Sequence, residues 1–182
     1  MRFVFLFFFV FYLNAQQSYI DYLSPYHPTV SNKGMVVTQN NLSSDVGIEI
    51  LNKGGNAIDA AVAVGFSLAV TLPRAGNLGG GGFMLVYLKE KDEIFYIDYR
   101  SKSPLNASID NIFDLNGKNI SPIDFSDDIC DKTRYGYKAP AIPGTVAGLL
   151  EAHEKFGSLP LEEVLAPAIR QANEGILVSY DL

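Results

Sequence analysis

The first ordered pattern of hydrophobic and polar residues begins with the apolar run GMVVT, residues 34–38, which predicts a short buried strand. In the NLSSDVGIEILN stretch that follows, Ser43 or Ser44 is the expected N-cap of a helix. The glycine pair at 54–55 is expected to end that helix. Apolar residues recur there every four positions, which predicts one apolar helix face formed by Leu42, Val46 and Ile50.

A second helix and a β-hairpin are predicted from the next patterns. Asn56 and Asp59 have the spacing of a capping box. Residues 60–70 carry no charge, and a helix that is apolar all round must be buried on all sides. FMLVYL, residues 83–88, and IFYIDYR, residues 94–100, flank a charged turn and predict a hairpin. Because the first strand is apolar at every position, both faces of the sheet are expected to be covered.

Two further helices are predicted after a polar loop that spans residues 101–138. Thr145 is the expected N-cap of the first helix, and Gly157 is expected to end it. Within the second stretch, LPLEEVLAPAIRQANEG, Pro167 is expected to begin a new helical segment at its first turn. The pattern therefore predicts a mixed α and β domain over residues 34–182.

The first residues of the chain have the order of a secretory signal peptide. Arg2 precedes an apolar run, Phe3–Leu13, and Ala15 is a small residue suited to cleavage. A bilayer span needs ~20 apolar residues, and this run is too short, which disfavours the alternative of an uncleaved membrane anchor. We expect residues 1–15 to be a signal peptide, residues 16–33 an extended lead-in, and the protein to be secreted or periplasmic without a stable membrane span.

Charge and cysteine content exclude several classes of protein. The net charge of −6 argues against nucleic acid and anionic membranes as partners. Cys130 is the only cysteine in the sequence, so no internal disulfide can form. His27 and His153 lie far apart and neither has a metal-ligand spacing. We expect neither a metal nor a cofactor.

Four consecutive glycines, residues 79–82, stand directly before the first strand of the predicted hairpin. A phosphate cradle and close backbone packing are two explanations for such a run. No Lys-Ser/Thr pair follows the glycines, and they precede a strand rather than a helix, so neither a P-loop nor a dinucleotide site fits. Close packing, where a Cβ would collide with its neighbours, is the favoured interpretation.

Arg100, in IDYRSKSP, is the candidate binding residue. A guanidinium at the end of a strand, next to a cleft between layers, matches a carboxylate with two parallel hydrogen bonds. A surface ion pair with Asp98 or another acidic residue is the simpler alternative, and the residue types alone favour that alternative.

Five stretches resemble the γ-glutamyltransferase family, also called γ-glutamyltranspeptidases or glutathione hydrolases. They occur in the family's order and at its spacing, and they are GMVVTQN, GIEILNKGGNAIDAAVAVGFSLAVTLPRAGNLGGGGFMLVYL, IDYRSKSP, PAIPGTVAGLLEAHEKFG and PLEEVLAPAIRQANEG. The resemblance runs from Gly34 to the last residue, with a poor match over residues 106–138. It implies an α+β fold, the N-terminal part of an N-terminal-nucleophile hydrolase αββα sandwich.

The resemblance also implies an activity. Members of the family are precursors that cut themselves into two subunits, and the new N-terminal threonine of the small subunit is the nucleophile. They take the γ-glutamyl group from glutathione or another donor and pass it to water, an amino acid or a dipeptide. The family's D-[FYG]-R-E-x-[AS]-P arginine, which binds the α-carboxylate of that group, corresponds to Arg100. That correspondence reverses the preference for a surface ion pair, although Ser101 replaces the usual glutamate.

No catalytic residue is expected within this chain. Thr133 and Thr145 do not stand in the family's cleavage context, so the nucleophile is expected beyond Leu182 and the small subunit is the expected partner. The 182 residues alone are predicted to be inactive. Two alternatives stay open: a non-catalytic secreted binding protein with the same fold, and a related N-terminal-nucleophile acylase. Arg100 favours a glutamyl donor over the acylase.

Overall fold

The computed structural model describes residues 30–107 and 139–178, and from residue 34 onward these belong to one compact unit. The predictions for the signal peptide, for Cys130 and for most of the lead-in and the polar loop lie outside the described residues. In the part of the chain that is described, no helix is long and apolar enough to cross a membrane. The elements in chain order are α1 (Asn41–Asn52), α2 (Ala57–Thr71), β1 (Phe83–Leu88), β2 (Glu93–Asp98), α3 (Thr145–Phe156) and α4 (Leu161–Glu174).

Helix α2 is the central element, because it packs against α1, α3 and α4. Its predicted capping box is confirmed. The Asn56 side chain accepts hydrogen bonds from the backbone N–H groups of Ile58 and Asp59, and the Asp59 carboxylate accepts from the Asn56 N–H at 2.9 Å. Its predicted burial is also confirmed along most of its length, although Ala61 is exposed. The absence of charge in α2 thus corresponds to contact with three neighbouring helices.

The N-cap predicted for α1 is wrong. Asn40 caps the helix, and its Oδ1 accepts from the Leu42 N–H at 2.9 Å. Ser43 is fully buried instead, and its hydroxyl is 2.8 Å from that of Ser67 and 2.7 Å from that of Thr71. Asparagine and serine are about equally good N-caps, so the capping preference could not decide between them. The serine is used in a buried hydroxyl cluster that joins α1 to α2.

The strand predicted over residues 34–38 is also wrong, because this segment pairs with no described strand. Val37 is 81% exposed. Val36 instead packs its methyl groups against Gly47 of α1, where a Cβ would lie 2.6 Å from the nearest of them. A short apolar run does not by itself distinguish a strand from an extended segment that covers a helix.

The predicted hairpin is confirmed. Strands β1 and β2 are antiparallel, in a register that pairs Phe83 with Asp98 and Leu88 with Glu93. The inner face packs on the core, and the Phe95 ring lies 5.0 Å from that of Phe156 in α3. Within the described residues the other face is exposed, so the prediction of two covered faces holds for one face only. We call the exposed side the outer face; it consists of Phe83, Leu85, Tyr87, Ile94 and Tyr96.

Pro167 lies inside α4 and does not begin a new segment, contrary to the prediction. A proline in this position removes the N–H that would bond to the carbonyl of Glu163. Pro167 and Val164 are both fully buried, and α4 packs along α2. This packing explains why the helix continues through the missing hydrogen bond.

Candidate functional site

Arg100 lies two residues beyond the end of β2. Its side chain is exposed, and among the described residues its guanidinium makes no hydrogen bond or ion pair. The Asp98 carboxylate accepts from the backbone N–H of Arg100 at 3.0 Å, not from its side chain. The ion pair with Asp98 is therefore not formed, and no other described acid pairs with Arg100, which leaves the guanidinium able to take a carboxylate from elsewhere.

The glycine run holds the backbone around Arg100 on one side. Tyr99 donates its N–H to the Gly82 carbonyl at 3.1 Å and accepts from the Gly82 N–H at 3.3 Å, which extends the hairpin by one residue pair. A Cβ on Gly81 would lie 2.7 Å from the Tyr99 carbonyl oxygen and 2.9 Å from the carbonyl carbon of Arg100. These distances are too short for any side chain, so the two backbones can meet only at glycine.

The segment before α3 holds the same backbone on its other side. Lys102 and Ile142 exchange both backbone hydrogen bonds, at 3.0 and 2.8 Å. A Cβ on Gly144 would lie 2.8 Å from the carbonyl carbon of Tyr99 and would overlap its oxygen. The Gly144 N–H also donates to the Gly80 carbonyl at 2.8 Å. Three backbone segments therefore meet around Arg100.

The Tyr99 side chain fills the space between these segments. A Cβ on Gly82 would lie 2.7 Å from its ring, and a Cβ on Gly148 of α3 would overlap the ring. Burial raises the pKa of the Tyr99 phenol. We call Gly81, Gly82, Gly144 and Gly148 the glycine slot of Tyr99.

The favoured explanation of the glycine run is confirmed for half of it. Gly81 and Gly82 belong to the slot, whereas a Cβ on Gly79 or Gly80 would meet its nearest described neighbour, the Asn77 side chain, at an ordinary 3.4 Å. Close packing among the described residues therefore does not explain the first two glycines.

A cavity of about 140 Å³ lies beside the slot. Leu68 and Leu149 give it an apolar lining, and Gly81 and Tyr99 also line it. Arg100 does not line this cavity. Its backbone is held next to the cavity wall, while its side chain extends into solvent. The remaining lining residues are Gly65, Ala75, Gly76, Asn77, Gly80 and Thr145.

The prediction that Thr145 is the N-cap of α3 is wrong. Gly144 occupies that position, and the N–H of Thr145 donates to the Gly80 carbonyl at 3.2 Å. Thr133 lies outside the described residues. Within the described ranges, no group of three or more His, Cys, Asp and Glu side chains could hold a metal ion.

Sequence reasoning identified Arg100 but missed the residues that hold it, which are Tyr99, Gly144 and Gly148. One signal was available, because PGTVAG places two glycines four residues apart, on one face of the first turn of α3. Nothing in the sequence indicated that Tyr99 lies against them, because the contact joins segments more than forty residues apart.

Known proteins resemble this chain over most of its described length. The family model described as Gamma-glutamyltranspeptidase matches residues 43–182. The Glutathione hydrolase proenzyme of Pseudomonas sp. (strain A14) is 42% identical over 151 residues, which is 83% of this chain and 24% of that protein. The Acylase ACY 1 proenzyme of Pseudomonas sp. (strain V22) is 39% identical over 159 residues, or 87% of this chain and 28% of the relative.

The crystal structure of Helicobacter pylori gamma-Glutamyltranspeptidase is similar in fold, with a TM-score of 0.72 and 37% sequence identity. The match covers 84% of this chain and 41% of that one. This likeness confirms the predicted α+β fold, the N-terminal part of an N-terminal-nucleophile hydrolase. The chain spans about a quarter of the length of the curated relatives described above.

Proposed function

This chain belongs to the gamma-glutamyltranspeptidase family, and we propose that it is the N-terminal part of a glutathione hydrolase in which Arg100 binds the donor. In this proposal the guanidinium of Arg100 holds the α-carboxylate of a γ-glutamyl group, from glutathione or a related amide. The glutamyl group then passes to water, an amino acid or a dipeptide. A threonine beyond Leu182, at the start of the protein's own small subunit, attacks the amide.

One observation carries the assignment of Arg100. Its backbone is held on two sides, while its guanidinium has no partner among the described residues. Two other arginines lie in the described residues: Arg170 of α4 pairs with Glu49 at 2.7 Å, whereas Arg74 is exposed and, like Arg100, forms no ion pair with a described residue. What distinguishes Arg100 is its closely packed backbone together with the resemblance of its DYRSKSP motif, and an unpaired guanidinium on such a backbone is suited to an anionic ligand.

The strength of the bond between the Arg100 guanidinium and the donor carboxylate depends on how far water is excluded from it. An exposed ion pair contributes about 0.2–1 kcal/mol. A hydrogen bond to a charged group contributes about 1.5–3 kcal/mol. The second value is sufficient for donor selection, because about 1.4 kcal/mol changes a binding constant tenfold. The proposal therefore requires that the rest of the protein, outside this chain, covers Arg100 when the donor is bound.

The test uses the full-length protein that contains this chain and a chromogenic γ-glutamyl anilide. Arg100→Lys keeps the charge but loses the two-pronged geometry, so KM is expected to rise by about tenfold or more, the equivalent of one charged hydrogen bond. Arg170→Lys is the matched control, because this arginine pairs with Glu49, and its KM should stay within about twofold, as for other exposed pairs. An unchanged KM in Arg100→Lys would remove this residue from the site.

A related acylase is the second candidate function, because the Acylase ACY 1 proenzyme is 39% identical to this chain. The two candidates differ in the acyl group that they accept. The γ-glutamyl group carries an α-amino and an α-carboxylate group, and a simple aliphatic acyl group carries neither. Comparing a γ-glutamyl anilide with an aliphatic acyl anilide separates the candidates, because a glutathione hydrolase should strongly prefer the γ-glutamyl anilide. A protein that binds glutamate but cleaves neither anilide would be the non-catalytic alternative.

We also infer that the protein is exported, on the order of charged, apolar and small residues in its first fifteen positions. The mature N-terminus should then lie close to Gln16. N-terminal sequencing of the protein from its native host measures this directly, and recovery of an intact Met1 would exclude cleavage.

A further inference from the structure

We propose that the glycine slot of Tyr99 positions Arg100, so that the packing of one aromatic ring helps to set the affinity for the donor carboxylate. This inference rests on the proposed function of Arg100. It concerns Tyr99, Gly144 and Gly148, which act through Arg100 and are not assigned any contact with substrate.

The first step of the argument is that the backbone of Arg100 cannot move independently of its neighbours. Tyr99 exchanges two hydrogen bonds with Gly82, and Lys102 exchanges two with Ile142. Arg100 and Ser101 therefore lie between two fixed pairs. The carbonyl carbon of Arg100 is also 2.9 Å from the position that a Cβ of Gly81 would occupy.

The second step is that the Tyr99 ring sets the distance between the hairpin and α3. Gly148 is buried, and a side chain there would overlap the Cβ and Cγ atoms of Tyr99. At the far end of the ring, a Cβ on Gly82 would lie 2.7 Å from Cε2. The Tyr99 side chain therefore lies close to backbone at two glycines, and because the overlap at Gly148 includes the Tyr99 Cβ, rotation of the ring alone does not make room for an added methyl group.

The third step connects the slot to the guanidinium. The Arg100 side chain has no partner among the described residues that would fix it, so its location depends on where its Cα is held. A methyl group at position 148 must push Tyr99 away from α3, and Arg100 moves with it. Displacing a positioning contact by about 1 Å can reduce a rate by about 100-fold.

The experiment compares two substrates in the full-length protein that contains this chain. One is γ-glutamyl 4-nitroanilide, and the other is 4-aminobutanoyl 4-nitroanilide, the same amide without the α-carboxylate. The ratio of their kcat/KM values, here called the carboxylate ratio, reports recognition of the carboxylate alone. A defect in folding or in the nucleophile lowers both values equally and leaves the ratio unchanged.

Gly148→Ala is expected to lower the carboxylate ratio by about tenfold, within the range for a misplaced contact, mainly through KM of the γ-glutamyl substrate. Gly47→Ala is the matched control. It also adds a methyl group to a tightly packed helical glycine, but its neighbours are the side chains of Val36 and Val64, far along the chain from Arg100. Its carboxylate ratio should not change.

Two substitutions of Tyr99 keep the test valid if Gly148→Ala does not fold. Tyr99→Ala empties the slot and should lower the carboxylate ratio. Tyr99→Phe keeps the ring and should restore most of that loss, because the Tyr99 hydroxyl makes no hydrogen bond to a described residue. If Tyr99→Ala leaves the ratio unchanged, or if Phe does no better than Ala, the slot does not position Arg100.

Arg100→Ala separates this inference from the proposed function on which it rests. If that variant keeps the full carboxylate ratio, the assignment of Arg100 itself is wrong. If Arg100→Ala abolishes the ratio while the variants of Gly148 and Tyr99 preserve it, then only the positioning role is wrong.

Discussion

Asp59 is a fully buried carboxylate that connects the start of α2 to the loop between α3 and α4. It accepts hydrogen bonds from the Ser158 hydroxyl at 2.6 Å, from the Ser158 N–H at 3.0 Å and from the Asn56 N–H at 2.9 Å. Burial raises the pKa of Asp59, but the hydrogen bonds from Ser158, Asn56 and Leu159 together lower it below the ordinary value of 3.8. This carboxylate is therefore stabilised in its charged form.

We predict that this site makes stability fall in acid. Because the folded-state pKa is lower than the unfolded one, its contribution is complete above about pH 4 and is lost as the pH falls through the folded value. Asp59→Asn should lower Tm more at pH 6 than at pH 3, measured by circular dichroism. Glu151→Gln, which removes an exposed ion pair with Lys155, is the control and should change Tm little. An equal loss at both pH values would contradict the prediction.

At the scale of single elements, the end of α1 depends on Gly54, which has φ of +92°. We predict that Gly54→Ala destabilises the protein by about 1–2 kcal/mol, the cost of the left-handed conformation for a residue with a Cβ. A clash plays no part, because nothing described lies within 4 Å of the added atom. Gly54→Asn should cost less, since asparagine tolerates this conformation. Urea denaturation measures both, and equal costs for Ala and Asn would argue against a backbone cause.

Elements with local signals could be predicted from the sequence, and those that depend on distant contacts could not. The capping box of α2 and the hairpin use residues that lie within a few positions of one another. Pro167 reads as a helix start on local rules, yet burial against α2 carries α4 through it. Residues 34–38 read as a strand, but they pair with no described strand, and Val36 packs on Gly47 of α1 instead.

In the candidate site, too, the residue with a local sequence signal could be predicted and the residues that depend on distant contacts could not. Arg100 was found because its own short motif resembles that of a known family. The slot around Tyr99 was not found, because it joins the hairpin to α3 across more than forty residues of the chain. Glycine was interpreted correctly as a mark of close packing at Gly81 and Gly82. Which residue fills the space between glycines is a property of the fold and not of the motif.

At the scale of the whole molecule, the outer face of the hairpin is a continuous apolar surface that no described residue covers. Leu85, Ile94 and Tyr96 are each at least 60% exposed, and the Phe83 and Tyr96 rings stack with their centroids 6.1 Å apart. Contiguous apolar patches of this kind mark surfaces that another protein segment covers. The chain spans about a quarter of its curated relatives, so we expect the remaining sequence to supply that cover.

We predict that the 182-residue chain expressed alone self-associates through this face and through the free edges of its two strands. Leu85→Lys places a charge at the centre of the outer face and should shift the chain toward monomer in size-exclusion chromatography with light scattering. Leu105→Lys is the matched control, because Leu105 is fully exposed but lies outside the hairpin, and it should leave the distribution unchanged. In the full-length protein the effect of Leu85→Lys should reverse, since a buried charge without a partner is strongly destabilising, and Tm should fall. Self-association that is insensitive to Leu85→Lys would assign the aggregating surface elsewhere.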